Sequence, residues 1–113
     1  MPILKHHKNL SFKKWFAYPK GQQLLMIANE LNRAKNWIIK NNIENVNLCY
    51  ERAFELTDIT ISDNKWVGKR KELLRFGEYL AEQYTKPQKS LDINSQLYRG
   101  LIALSPESYN MLN

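Results

Sequence analysis

The chain has 113 residues and a net charge of +6, with 43% hydrophobic and 25% charged residues. This length and usage are typical of one soluble globular domain, so residues 1–113 are interpreted as a single domain, and a disordered or fibrous chain is excluded. The chain contains only four glycines and four prolines. Such scarcity of turn-forming residues favours long helices over many short strands.

Membrane-spanning and secreted proteins are also not expected. The longest apolar run, Leu24–Ala28, has five residues, whereas a spanning helix needs about 20. The N-terminus has no long apolar stretch followed by a cleavage site, so we expect no secretory signal and a cytoplasmic protein. Cys49 is the single cysteine, so it forms no disulfide within the chain and is compatible with a reducing compartment.

The positive charge is concentrated in two segments. Residues 1–20 contain five lysines and no acidic residue, and residues 65–89 contain seven basic and three acidic residues. Residues 21–64, between them, contain six acidic and four basic residues. This order indicates either a surface for a polyanion or complementary faces that meet inside the fold or between subunits.

The first two elements are predicted from helix caps and apolar spacing. Residues 9–17 are predicted to form a short helix that Ser11 caps, with its aromatic side chains on one face. That face is interpreted as a lid over the core, with a basic and aromatic docking element as the alternative. Residues 20–41 carry an apolar stripe of period 3.6, which predicts a long helix. Asn41 and Asn42 then favour a turn, because asparagine tolerates the left-handed backbone conformation.

Two further helices are predicted in the middle of the chain. Residues 44–61 carry a second apolar stripe with acidic residues on the opposite side, and the β-branched end of this segment is interpreted as helical. A polar turn follows, and residues 65–84 are predicted to form the next helix, with Arg70 inside its apolar arc. A buried guanidinium is costly, so we expect Arg70 to reach water or to pair with a carboxylate such as Asp58 or Asp63.

The last helix is predicted over residues 91–104, after a linker around Pro87. It is apolar on two sides, so it is either sandwiched within the bundle or exposes one side to a partner. Ser105 and Pro106 predict one more terminal turn. The predicted fold class is therefore all-α, a compact bundle of four main helices with short helical turns at both termini, and residues 1–8 are expected to form a flexible basic tail.

Residues 34–58 resemble a single tetratricopeptide-like helical hairpin. In that pattern a small residue and an aromatic residue of the first helix pack against small, apolar and aromatic residues of the second. The matching positions are Ala34, Trp37, Val46, Tyr50 and Ala53. One repeat length further along, the pattern does not continue, so the resemblance covers one unit. It implies a partner-binding scaffold rather than an enzyme.

No combination of catalytic or metal-binding residues is found in the sequence. His6 and His7 are adjacent and have no further ligand at a helical spacing, so they are interpreted as part of a solvated tail. Glu51, Glu55 and Asp58 share one helix side, but without a Glu-x-x-His motif they are interpreted as a solvated or arginine-paired acidic face. The cysteine lies on an apolar helix side, which is typical of an inert thiol. We therefore predict a protein that is not an enzyme and has no metal or cofactor.

The predicted function is a non-catalytic protein-interaction or self-association module, with a homo-oligomer expected. The alternative is a small basic nucleic-acid-binding accessory protein. The candidate interface residues are Met26, Trp37, Leu91, Tyr98 and Ile102. The candidate contacts to an anion or nucleic acid are Lys5, Lys8, Lys13, Lys14, Lys20, Lys65, Lys69 and Arg75. The alternative gains support if the fold brings the two basic segments to one face.

Overall fold

Every regular element in the part of the chain that the structure describes is helical. A computed structural model describes His7 and residues 10–106. Its α-helices are α1 (Phe12–Phe16), α2 (Lys20–Ile39), α3 (Ile43–Ile61), α4 (Arg70–Thr85) and α5 (Leu91–Ile102). A 3-10 helix, Asn64–Lys69, lies between α3 and α4. The predicted all-α class and the four main helices are confirmed.

Side-chain caps start three of the helices. Ser11, Asn42 and Ser90 each accept a hydrogen bond from a backbone N–H in the first turn of α1, α3 and α5, respectively. These bonds satisfy donors that have no partner within the helix. Asn41 has a φ of 57°, which confirms the predicted left-handed turn between α2 and α3.

The four long helices form a ring in which each packs against two neighbours. Helix α2 packs against α3 and α5, and α4 packs against the same two helices from the other side. Short connections make successive helices antiparallel, so the start of α2, the end of α3 and the start of α4 lie at one end of the bundle. The core includes Leu24, Ile27 and Leu31 of α2, Val46, Ala53 and Ile59 of α3, Leu73 and Leu80 of α4, and Leu101 of α5.

The fourth predicted helix begins later than expected. Residues 64–69 form a 3-10 helix because Asp63 accepts a hydrogen bond from the backbone N–H of Lys65 and Lys69 departs from helical geometry, with φ −122° and ψ 13°. This tight turn places the indole of Trp66 inside the bundle with no exposed surface. Arg70 then donates from Nε to the carbonyl oxygen of Ile61 at 2.9 Å, so it caps the end of α3 instead of pairing with a carboxylate.

The same end of the bundle contains a buried hydrogen-bond network centred on Gln23. Its Nε2 donates to the carbonyl oxygen of Trp15 at 2.9 Å and to Oδ2 of Asp63 at 3.0 Å. Its Oε1 accepts from the indole Nε1 of Trp66 at 2.7 Å. Trp15, in turn, donates from Nε1 to Oγ1 of Thr60 at 3.0 Å. The network therefore joins α1, α2, α3 and the 3-10 helix.

A smaller buried contact joins α2, α3 and α5. Nδ2 of Asn94 donates to the carbonyl oxygen of Leu31 at 3.2 Å and to the hydroxyl of Tyr50 at 3.1 Å. The α2–α3 pair contains the segment that resembles a tetratricopeptide-like hairpin, and membership of that family stays a prediction.

Replacing Gln23 with leucine should destabilise the protein by about 2–3 kcal/mol, because the Trp66 indole and the Trp15 carbonyl would lose their buried partner. Urea unfolding followed by circular dichroism measures this change. Gln22→Leu, one residue earlier on a partly exposed position of α2, is the matched control and should change the free energy of unfolding by less than about 0.5 kcal/mol. Equal effects of the two substitutions would contradict a special role of Gln23.

The ionised carboxylate of Asp63 should stabilise the fold, and its protonation at low pH should remove this stabilisation. Burial raises the pKa of Asp63, but hydrogen bonds from Lys65 and Gln23 outweigh this effect and hold the pKa below its usual value. A carboxylate with a lowered pKa in the folded state stabilises it above the unfolded pKa, and this stability is lost as pH falls below about 4. Asp63→Asn should lower the free energy of unfolding near pH 7 by about 1–2 kcal/mol and flatten its decline with acid. Melting temperatures from neutral pH to about pH 2.5 test this, and Glu78→Gln on the exposed face of α4 is the control.

Candidate functional site

The fold brings residues 10–20 of the first basic segment and residues 65–71, the start of the second, together at one end of the bundle. Nζ of Lys65 donates to the carbonyl oxygen of Phe16 at 2.6 Å, so the 3-10 helix and α1 are in direct contact. Nζ of Lys20 lies 5.3 Å from the centre of the Trp66 ring, which places the start of α2 over the 3-10 helix. We call this region, formed by α1, the first turn of α2, the 3-10 helix and the first turn of α4, the basic end.

The basic side chains of the basic end differ in solvent exposure and in the bonds that they make. Lys13 and Lys14 on α1 and Lys69 and Lys71 near the start of α4 are exposed. Lys65 is only partly exposed, because it pairs with Asp63 at 2.7 Å in addition to its bond to α1. The exposed lysines are thus the groups able to contact a large anion, whereas Lys65 mainly stabilises the fold.

The remaining predicted anion contacts are half-buried, lie on another surface or lie outside the described residues. Lys20 is half-buried over the Trp66 ring. Arg75 is exposed but lines a groove between α4 and α5, so it belongs to a different surface. Lys5 and Lys8 lie outside the described residues, as do all residues of the expected tail except His7.

A groove of about 680 Å³ runs between α4 and α5. Its apolar lining comes from Phe76 of α4, from Ile93 and Leu97 of α5, and from Leu104 just beyond α5. Tyr79 stands beside these residues with 55% of its surface exposed. The charged lining residues are all on the α4 side and are Glu72, Arg75, Glu82 and Lys86. An apolar floor with a polar rim is the usual form of a surface that binds another molecule.

The predicted interface residues are mostly not free to meet a partner. Ile102 is 3% exposed and belongs to the core, which corrects its assignment to an interface. Met26, Trp37 and Tyr98 are half-buried and pack against the core, and Leu91 alone among the five is an exposed hydrophobic residue, at 42%. For Tyr98 and Ile102 the reason is that α5 packs against both α2 and α4 and therefore uses both of its apolar sides for packing.

Two glutamates are buried, one on α2 and one on the acidic side of α3. Glu30 is 5% exposed and accepts from Arg33 at 3.1 Å and from Arg52 at 3.2 Å. Glu55 is 7% exposed, and its Oε1 accepts from the backbone N–H of His7 at 3.1 Å. Both carboxylates therefore hold parts of the fold together, and the acidic side of α3 is not a uniformly solvated face.

Cys49 lies in the core beside the Glu30 and Arg52 pair. Its side chain is fully buried, and Nη2 of Arg52 is 3.5 Å from Sγ. Burial raises the pKa of the Cys49 thiol, although the Arg52 charge partly offsets this effect. Such a thiol is protonated near neutral pH and inaccessible, which is unlike a catalytic nucleophile.

Within the described residues, no group of three or more His, Cys, Asp or Glu side chains is arranged to hold a metal ion. No helix in that part of the chain is long and apolar enough to cross a membrane. Comparison with known proteins gives no match to a family model, to a curated protein or to a solved structure. The properties of the two surfaces, the basic end and the α4–α5 groove, are therefore the basis for a functional proposal.

Native Cys49 should react with a thiol reagent at least about 100-fold more slowly than the urea-unfolded chain, because reaction requires opening of the core. Absorbance of the released thiolate from a disulfide reagent measures both rates. The double variant Cys49→Ala/Gln88→Cys carries its thiol on the exposed linker between α4 and α5 and should react at a similar rate folded and unfolded. Fast labelling of native Cys49 would show that the core is open.

Proposed function

We propose that this protein is a non-catalytic, nucleic-acid-binding accessory protein that contacts the phosphate backbone through its basic end. The observation that carries the proposal is the contact between α1 and the 3-10 helix, where Lys65 bonds to the Phe16 carbonyl. This contact joins the end of the first basic segment to the start of the second, between residues that are 49 positions apart in the sequence.

The charge balance of the region supports a polyanionic ligand. Residues 10–20 and 58–72 contain seven basic and three acidic side chains. Of the acidic ones, Asp63 is neutralised by Lys65. Burial raises the pKa of Asp58, whose side chain is only partly exposed. The third acidic residue, Glu72, is exposed, so the four exposed lysines of the basic end outnumber the exposed carboxylate beside them.

The chemistry of the exposed groups favours the sugar–phosphate backbone over the bases. Lysine ammonium groups are point charges that neutralise phosphates, whereas reading of base edges usually requires arginine, asparagine or glutamine side chains that bond in pairs. Lys13 and Lys14 belong to a helix of five residues, which is too short to fill a major groove. Binding should therefore depend strongly on salt and weakly on sequence.

A second candidate function, protein association, is favoured by the α4–α5 groove. The apolar floor of this groove is open to solvent beside the exposed ring of Tyr79. Apolar surface of this kind is stabilised when another protein covers it. The exposed lysines of the basic end, Lys13, Lys14, Lys69 and Lys71, do not line the groove, so the two functions are separable by substitution.

The double variant Lys13→Gln/Lys14→Gln should bind nucleic acid more weakly than the natural chain. Each lost phosphate contact should reduce the slope of log affinity against log salt by about one, so the expected reduction is about two. Fluorescence anisotropy with labelled duplex and single-stranded oligonucleotides, measured from about 50 to 300 mM salt, gives these slopes. Glutamine keeps the helix propensity close to that of lysine.

The matched control is Lys35→Gln/Lys40→Gln, which removes the same charge from the exposed second half of α2 and the residue that follows it. The slope for this variant should stay near that of the natural chain. An equal loss in both variants would indicate a general charge effect and contradict a local site. Absence of salt-dependent binding to both oligonucleotides would overturn the proposal.

A further inference from the structure

We infer that the α4–α5 groove binds a second copy of this chain, through an antiparallel contact between the two α4 helices about a twofold axis at Tyr79. This inference rests on protein association, the second candidate function, and is independent of nucleic-acid binding. It follows from the order and spacing of the side chains along the exposed edge of α4.

Five exposed residues follow one line along α4 and its C-terminal cap. They are Glu72, Arg75, Tyr79, Glu82 and Lys86, and all of them line the groove. Their spacings of three, four, three and four residues match the repeat that keeps a line of side chains facing a partner helix. At 100° per residue the five positions fall within an arc of about 80°, so one helix can contact all of them.

The charges on this line attract those of a second copy only when the two α4 helices are antiparallel. In chain order they are negative, positive, negative and positive, with Tyr79 in the middle. An antiparallel copy centred on Tyr79 places Glu72 opposite Lys86 and places Arg75 opposite Glu82, within one residue of exact register. A parallel copy would place like charges opposite one another. A twofold interface repeats each contact, so the contact contains four attractive pairs.

The groove provides apolar surface for the same contact. Tyr79 is 55% exposed, and in the antiparallel arrangement its ring reaches the groove of the other copy, where Ile93 and Leu97 line the α5 side. On that side Gly100 is exposed, and a Cβ built at this position meets nothing within 4 Å. The absence of a side chain at Gly100 lets another helix approach α5 closely.

One existing contact competes with the proposed pairs but does not oppose them strongly. Nζ of Lys86 lies 3.5 Å from Oε1 of Glu82 within the same helix, and both side chains are more than half exposed. An exposed pair of this type contributes little to stability. Lys86 is therefore available to a carboxylate of another copy.

The experiment uses charge reversal at one pair. Glu72→Lys alone and Lys86→Glu alone each create two repulsive contacts in the dimer, so each should raise the dimer dissociation constant about tenfold or more. The double variant Glu72→Lys/Lys86→Glu restores both pairs and should dimerise like the natural chain. An equimolar mixture of the two single variants should form a heterodimer, because every pair in that species is attractive.

Sedimentation equilibrium from about 1 to 200 µM protein gives the dissociation constants, and about 1 M salt should reduce the differences among the variants by screening. Glu78→Lys is the matched control, because Glu78 is exposed on α4 outside the line and its reversal should have little effect. Circular dichroism of each variant verifies that the helices are retained. The inference requires two independent recoveries of the dimer, one in the double variant and one in the equimolar mixture, so misfolding of one single variant cannot produce the expected result.

Each outcome decides the inference. Recovery of the dimer in the double variant and in the mixture supports the antiparallel contact. A dimer that none of the reversals weakens would mean that self-association uses another surface, which overturns the inference and leaves self-association standing. A natural chain that stays monomeric over the whole range of protein concentrations would overturn both the antiparallel contact and self-association. The proposal of nucleic-acid binding would be unaffected, because the oligonucleotide measurements test it separately.

Discussion

The position of α1 and of the 3-10 helix depends on one buried side chain, that of Gln23. Its amide contacts groups from α1, the 3-10 helix and the residue before it. A shift of α3 by one helical turn relative to α2 would move Asp63 by about 5.4 Å and leave several polar groups buried without partners. The hydrophobic core alone would tolerate such a shift better, since apolar contacts are not directional. The network therefore fixes the register of the helices and, with it, the union of the two basic segments.

The sequence predicts the helices well because their signals are local. The apolar periodicity of residues 20–41 and 44–61 and the cap at Ser11 depend on neighbours within a few positions, and the structure has helices there. The buried state of Gln23, Glu30 and Glu55 could not be predicted in the same way. Apart from Arg33, which lies three residues after Glu30, these side chains have partners up to 48 residues away, and no local pattern marks those partners.

The surfaces were harder to predict than the helices for a geometric reason. An apolar stripe on α5 has the same appearance whether it faces a neighbouring helix or solvent, and Ile102, one of the candidate interface residues, belongs to the core. The shape of the α4–α5 groove depends on how helices pack over the whole bundle, which no local pattern contains. The sequence shows that two segments are basic, but only the fold shows that parts of them meet at the basic end.

The order of charges along α4 also has a consequence for how a dimer would meet its ligands. An antiparallel contact at Tyr79 points the two basic ends in opposite directions, and a single bundle is 37 Å in its longest dimension. A dimer of this form cannot clamp one phosphate strand with both lysine clusters side by side. It would act as a bridge, holding two separate nucleic-acid segments apart at its opposite poles.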